Sequence, residues 1–363
     1  MKSAKKRVLL VDDAVVVRKV LTQAIGQDPA LEVAATAVNG RIALAKFPTV
    51  QPDIVLLDIE MPEMDGLETV RELRKIDSRV PIIMFSTLTE RGASITLEAL
   101  ALGATDYVTK PSNLDGAATL EAVTVELIPK IRAICHVPGA QSILAPVAKP
   151  HTPLSFIPPQ SRLLPPAKIV VIGVSTGGPD ALARLLPSLP ANLSVPVLIA
   201  QHMPAIFTAM LASRLSSKSQ LPVRECKSGE AVVPGQVVIA PGNFHMTMEQ
   251  EHRESLLRTN QSPRENFCRP SVDVLFRSVA PIYGERTLAV VLTGMGQDGL
   301  KGCEVLRAAG ARVFVQDEAS SVVWGMPGFV ARAGLADKIL PLDQIASEIV
   351  RATTIQVAAR AQS

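Results

Sequence analysis

The sequence predicts a two-domain α/β protein: a (βα)5 doubly wound parallel sheet, a proline-rich connection, and a second α/β domain. Three observations carry this. The chain has 363 residues, more than the ~150 of one ordinary domain. Short apolar runs alternate with amphipathic stretches in both halves of the chain. Between the halves, residues 129–166 hold nine of the 28 prolines. With 47% hydrophobic and 20% charged residues, the chain has apolar material for sizeable cores, which excludes wholesale disorder.

In the first half, apolar runs at 8–11, 33–37, 54–57, 82–85 and 107–108 read as five strands. Amphipathic stretches near 15–25, 40–47, 66–76, 94–102 and 118–134 read as the helices between and after them. Strands this closely spaced run parallel only if helices cross over both faces. A receptor for ligands then lies at the carboxyl ends of the strands. The seam, 136–166, includes PVAKPHTPLSFIPPQ and has no sustained periodicity, so an extended tether is expected. An ordered loop wrapped over a domain surface is the other reading.

After the seam, strands are expected at 169–172, 197–200, 237–240, 288–292 and 313–316, with a hairpin pairing 244–248 with 255–257. Helices are expected from Pro179, near 205–215, over 271–282 and 300–309, near 325–332 and after Pro341. No internal repeat and no compact helix-turn-helix are evident.

Charge and cysteine narrow the function classes. Up to residue 125 there are 14 Lys and Arg against 17 Asp and Glu, net −3; the remainder carries 23 against 17, net +6. The basic residues are scattered without aromatic interleaving, which disfavours a nucleic-acid groove and leaves an acidic protein partner as the better match. Cys135, Cys226, Cys268 and Cys303 lie 91, 42 and 35 residues apart, without metal-type spacing, and fit a reduced cytoplasm. The apolar run behind the basic opening ends at Asp12 and Asp13, so neither a signal peptide nor membrane insertion is expected.

Asp12 and Asp13 follow the first strand and Asp58 ends the third. Three carboxylates at one sheet edge suit a hard divalent ion such as Mg²⁺ with a phosphoryl oxygen beside it. Ser86 after the fourth strand offers a hydroxyl and Lys110 after the fifth a point cation. Singly, each has a plainer reading: Asp pairs cap helices and Lys-Pro makes turns. Together, VLLVDD, DIVLLDIEMPEMDGLE, FSTL and DYVTKP resemble the receiver domain of bacterial two-component response regulators over 6–125. The resemblance implies that Asp58 accepts a phosphoryl group from a histidine kinase and that Asp12, Asp13 and Asp58 hold Mg²⁺. It implies too that Ser86, Tyr107 and Lys110 transmit the change.

In the second half, Gly173-Val174-Ser175-Thr176-Gly177 fits G-x-S-x-G, a serine on a sharp strand-to-helix turn. A Walker loop is disfavoured because Pro179-Asp180 stands where Lys-Ser/Thr is needed. A serine nucleophile needs a base and the base an orienter. His202 leaves the strand at 197–200, and Asp298 follows the strand at 288–292 within TGMGQDG. The plain alternatives are a helix cap for Ser175 and a satisfied buried imidazole for His202. His245, in IAPGNFHM, reads as a hairpin residue satisfied by backbone. His136, His151 and His252 read as exposed.

The segments VIGVSTGGP, AQHMP, IAPGNFHM, RPSVDVLFRSVA and VLTGMGQDGLKG resemble the catalytic domain of the chemotaxis protein-glutamate methylesterases, the CheB family, over 165–352. The domain order, receiver then linker then esterase, is also that family's. The resemblance implies Ser175 as nucleophile, His202 as general base and acid, and Asp298 as orienter, with backbone near Thr176 and Met295 as oxyanion donors. It implies methyl-accepting chemoreceptors as substrates, demethylated at glutamate and deamidated at selected glutamines, and a chemotaxis histidine kinase as phosphodonor. No cofactor is expected in the catalytic domain. Two rivals remain: a DNA-binding regulator, which needs a basic recognition helix, and an inert interaction module, in which the three side chains do not converge. The CRPSVD segment has no role that the sequence assigns.

Overall fold

A computed structural model describes residues 5–110, 117–138 and 165–354. The connection expected over 136–166 lies outside the described residues from 139 to 164. The chain divides into two compact units, 1–143 and 144–363.

The first unit alternates strand and helix throughout: β1 (Lys6–Val11), α1 (Val15–Gly26), β2 (Leu31–Ala37), α2 (Gly40–Val50), β3 (Ile54–Asp58), α3 (Gly66–Ile76), β4 (Ile82–Ser86), α4 (Glu90–Ala101), β5 (Asp106–Thr109) and α5 (Ala117–Ile134). The five strands are parallel in the order β2-β1-β3-β4-β5. β3 and β4 are buried at every residue, which is why they read as unbroken apolar runs. Side-chain caps start three helices, with Asn39, Asp65 and Thr89 accepting from Ile42 N, Glu68 N and Gly92 N. The Thr89 cap begins α4 four residues ahead of the expected start at 94. α2 outruns its expected end at 47, because Pro48 forfeits a single helical bond in the last turn while Val50 becomes buried.

The second unit contains β6 (Ile169–Val174), α6 (Gly178–Leu185), β7 (Val197–Gln201), α7 (Ala205–Ser216), β8 (Val223–Glu225), β9 (Glu230–Ala231), β10 (Val237–Ile239), β11 (His245–Glu251), β12 (Glu254–Asn260), α8 (Val272–Tyr283), β13 (Thr287–Val291), α9 (Leu300–Ala308), β14 (Arg312–Gln316), α10 (Met326–Arg332), β15 (Lys338–Leu340) and α11 (Leu342–Thr353). Seven strands form a parallel sheet in the order β15-β14-β13-β6-β7-β10-β8. The expected hairpin is β11 with β12, joined by β9 in a small antiparallel sheet. β8, β9 and β15 were not expected; two or three residues hold too little pattern to announce a strand.

Both parallel sheets reverse their winding beside their first strand, between β1 and β3 in one and between β6 and β13 in the other. Such a switch point opens a crevice at the carboxyl ends of the strands. Asp12, Asp13 and Asp58 border the first, and Ser175 and the loop after β13 border the second. Among the described residues no helix is long and apolar enough to cross a membrane.

Candidate functional site

At the first switch point, Asp12 and Asp58 are buried while Asp13 is exposed, and their carboxylate oxygens lie within 4.8 Å of one another. Lys110 Nζ reaches Asp58 Oδ1 at 2.7 Å and Asp12 Oδ2 at 3.1 Å. Burial, with Asp12 beside it, pushes Asp58 up to about 6 against the opposing pull of Lys110. Burial raises Asp12 as well. Lys110 is raised in its turn, because Asp58 and Asp12 outweigh its own desolvation. Acidic oxygens in this number fit a hard divalent cation, with water or a phosphoryl oxygen completing its shell. A cavity of about 360 Å³ opens there, lined by Asp13, Asp58, Ile59, Glu60, Thr87, Gly92 and Lys110. Ser86 is buried; its Oγ accepts from Thr96 Oγ1 at 2.7 Å and lies 3.3 Å from Gly92 O. Thr87, one residue on, lines the cavity. Tyr107 is buried, with its carbonyl accepting from Lys130 Nζ.

At the second switch point, Ser175 follows β6 directly. Gly177 holds φ at 76°, a left-handed turn that releases the chain into α6, with Pro179 in its first turn. The turn is pinned: Ser175 N donates to Thr293 O at 3.0 Å. Gln201 Nε2 donates to Ser175 O and His202 O, both at 3.1 Å, tying the two strand ends together. Gly294 is needed for close approach, since a Cβ there would stand 2.8 Å from Ser175 Cβ. Thr176 N and Met295 N donate to no backbone carbonyl among the described residues.

His202, its side chain 12% exposed, meets Asp298 Oδ2 at 2.7 Å through Nε2. An ionised carboxylate only accepts, so Nε2 carries the proton and the Nδ1 lone pair is the basic site. Nδ1 lies 3.4 Å from Cys268 Sγ. Among the described residues Ser175 Oγ forms no hydrogen bond with His202, and the thiol occupies the side of the ring that bears Nδ1. Burial works to lower His202, but Cys268 and Asp298 outweigh it and hold the imidazole well above its ordinary value.

Asp298 is saturated. Oδ2 accepts from His202 and from Val272 N, at 2.7 Å each. Oδ1 accepts from Asn266 Nδ2 and Ser271 Oγ at 2.8 Å, and from Asp273 N and Gly299 N at 3.1 Å. Burial alone would raise Asp298, but His202 and the first amides of α8 hold it well below the usual carboxylate range. A cation would find no free lone pair there. His202, Cys268 and Asp298 bring ligand-type atoms within 4.8 Å, with the carboxylate fixing the orientation of the imidazole.

Several of these partners lay beyond sequence reasoning. Asp298, just before α9, caps α8; Asp273, in the first turn of α8, caps α9 by accepting from Gly299 N at 3.0 Å and Gly302 N at 2.6 Å. Asn266 Nδ2 bridges the two carboxylates, reaching Asp273 Oδ2 at 2.9 Å. Burial, and then the Asp298 charge, push Asp273 up. The CRPSVD segment is thus the cradle of Asp298. His245 is buried with both nitrogens engaged, by Ser271 N at 3.2 Å and Pro263 O at 3.1 Å, as its hairpin reading expects. His136 and His252 are exposed, and His151 lies outside the described residues.

Comparison with known proteins identifies both halves of the chain. Residues 170–349 match the family described as CheB methylesterase, and residues 8–120 the response regulator receiver domain. A protein-glutamate methylesterase/protein-glutamine glutaminase of Trichodesmium erythraeum is 51% identical over 352 residues, 96% of this chain and 99% of the relative. One of the same description from Nocardioides sp. is 48% identical over 95% of this chain and 94% of its own. Among solved structures, the Thermotoga maritima CheB methylesterase catalytic domain is 43% identical. It covers 51% of this chain and 98% of its own, with a TM-score of 0.50.

Proposed function

The chain belongs to the family of receiver-bearing CheB methylesterases, protein-glutamate methylesterase/protein-glutamine glutaminases, and from that premise we propose how its residues divide the work. It is a hydrolase of glutamate methyl esters on chemoreceptors, activated by phosphorylation and able to deamidate selected glutamines. We assign the receiver to 6–125, the linker to 136–166 and the catalytic domain to 165–352.

Ser175 Oγ attacks the side-chain carbonyl of a γ-glutamyl methyl ester while His202 Nδ1 takes its proton. The negative charge that grows on the carbonyl oxygen meets Thr176 N and Met295 N. His202 returns the proton to the departing methoxide, methanol leaves, and water attacks the acyl-enzyme by the same route in reverse. Asp298 fixes the tautomer and stabilises the imidazolium. A glutamine amide follows the same course with ammonia leaving. The contact that carries this reading is the 2.7 Å bond between His202 Nε2 and a saturated Asp298, one strand away from Ser175.

In the receiver, Asp58 is the phosphoacceptor, supplied by a histidine kinase. Asp12, Asp13 and Asp58 would hold Mg²⁺, which would supply neutralising charge for a phosphoryl group at Asp58. Lys110 bridges the same two buried carboxylates and keeps them together when their charge changes. Ser86, Tyr107 and Lys110 relay the added charge to the surface of β4 and β5. Methanol release from methylated receptor membranes tests the assignment: Ser175→Ala should silence it, and undiminished release would overturn the role of Ser175.

A further inference from the structure

The turn that places Asn266 and Cys268 against the catalytic base carries a third residue between them. Glu265 and Cys268 pair across it, with Glu265 N donating to Cys268 O at 3.2 Å and Cys268 N to Glu265 O at 2.9 Å. The two central residues both have left-handed backbone, φ 52° at Asn266 and 63° at Phe267. That is the geometry of a type I′ turn, whose second central position favours glycine. Here it is phenylalanine, a side chain for which such a backbone is strained.

Phe267 is 77% exposed, more than any other large apolar residue among those described. The other described Phe, Tyr and Trp residues are buried or half-buried. Single exposed apolar residues are ordinary on protein surfaces; this one is held out by a rigid mount. Asn266 points inward to Asp298 and Asp273, and Cys268 points inward to His202. Arg277 grips Glu265 with two bonds of 2.7 and 2.6 Å. Arg269 holds Gln261 O, Ser262 O and Asn243 Oδ1. Alternation along the turn therefore sends the ring outward beside the base.

The reacting group is small. A γ-methyl ester offers few atoms to recognise, so selectivity must come from contacts to the polypeptide around it. We propose that Phe267 is a specificity-determining residue, an aromatic anchor that packs on an apolar side chain of the receptor polypeptide flanking the ester-bearing glutamate. Its rigid turn presents a large, preorganised contact area. The inference rests on the esterase reading above and names the contact by which that site selects a protein substrate.

The test uses the full chain with acetyl phosphate and Mg²⁺, comparing methylated receptor membranes with N-acetyl-glutamate γ-methyl ester. Phe267→Gly suits the turn and removes the ring. It should lower kcat/KM for receptors by about tenfold, mostly through KM, and lower the receptor-to-small-ester selectivity ratio equally. Phe267→Tyr should restore most of that ratio. An unchanged ratio in Phe267→Gly, whether both rates hold or both fall together, overturns the proposal. A wild-type chain that releases methanol from neither substrate defeats the esterase reading itself and this inference with it.

Discussion

Two buried aspartates at the two switch points have opposite surroundings. Among the described residues Asp58 accepts from Ile59 N and Lys110 only, and burial pushes it up to about 6. Asp298 accepts from six donors and is held well below the usual range. On the proposed assignments, the same kind of crevice serves a different chemistry in each unit. A phosphoacceptor must keep an oxygen free to attack and must welcome a cation. An orienter must stay ionised and immobile while the imidazole beside it gains and loses a proton. Donor count, not fold position, sets the difference.

The largest effect that tests this contrast is on rate. Asp298→Asn keeps the shape but donates where an acceptor is required, and should cost about 10⁴-fold in kcat through the wrong His202 tautomer. A loss below tenfold would mean that the saturated carboxylate serves only the helix ends. Stability should then diverge between the two sites. Asp298→Ala strands buried donors on Asn266, Ser271 and α8 and should destabilise by about 3–5 kcal/mol in chemical denaturation.

Asp58→Asn should do the reverse. A carboxylate whose folded value lies above its unfolded one opposes folding at neutral pH, and that opposition fades as pH falls through about 6. Without divalent ions at pH 7.5, the substitution should stabilise by roughly 1–3 kcal/mol; a destabilised variant would contradict the account. It should also abolish stimulation of methanol release by acetyl phosphate.

The smallest effect is a displacement of the pH profile. His202 must be neutral to accept the serine proton, and its value is raised, so kcat/KM should fall on the acid side at a pH above that of an ordinary histidine. Cys268→Ala removes one of the groups raising it, so the acid limb should move to lower pH. A limb that stays in place would separate the thiol from control of the base.

Much of this was legible in the sequence because parallel strands buried on both faces are unbroken apolar runs, and the residues after them are the crevice. Asp12, Ser175 and His202 directly follow such strands, Asp58 ends one, and Asp298 stands in the loop after β13. The cradle of Asp298 was not legible. Four of its donors lie 25 to 32 residues away in sequence, three at the start of α8 and one on a turn whose usual Asn-Gly signal is written Asn266-Phe267, so nothing local marks it. The thiol of Cys268 on His202 Nδ1 was equally hidden, since isolated cysteines carry no spacing rule. The short strands β8, β9 and β15 escaped for want of length.

Methanol release from methylated receptor membranes, with and without acetyl phosphate and Mg²⁺, measures both aspartates at once. The account predicts release by the wild-type chain that rises with phosphodonor, no rise in Asp58→Asn, and near silence in Asp298→Asn. Full release from Asp298→Asn, or a phosphodonor response that survives in Asp58→Asn, would contradict it.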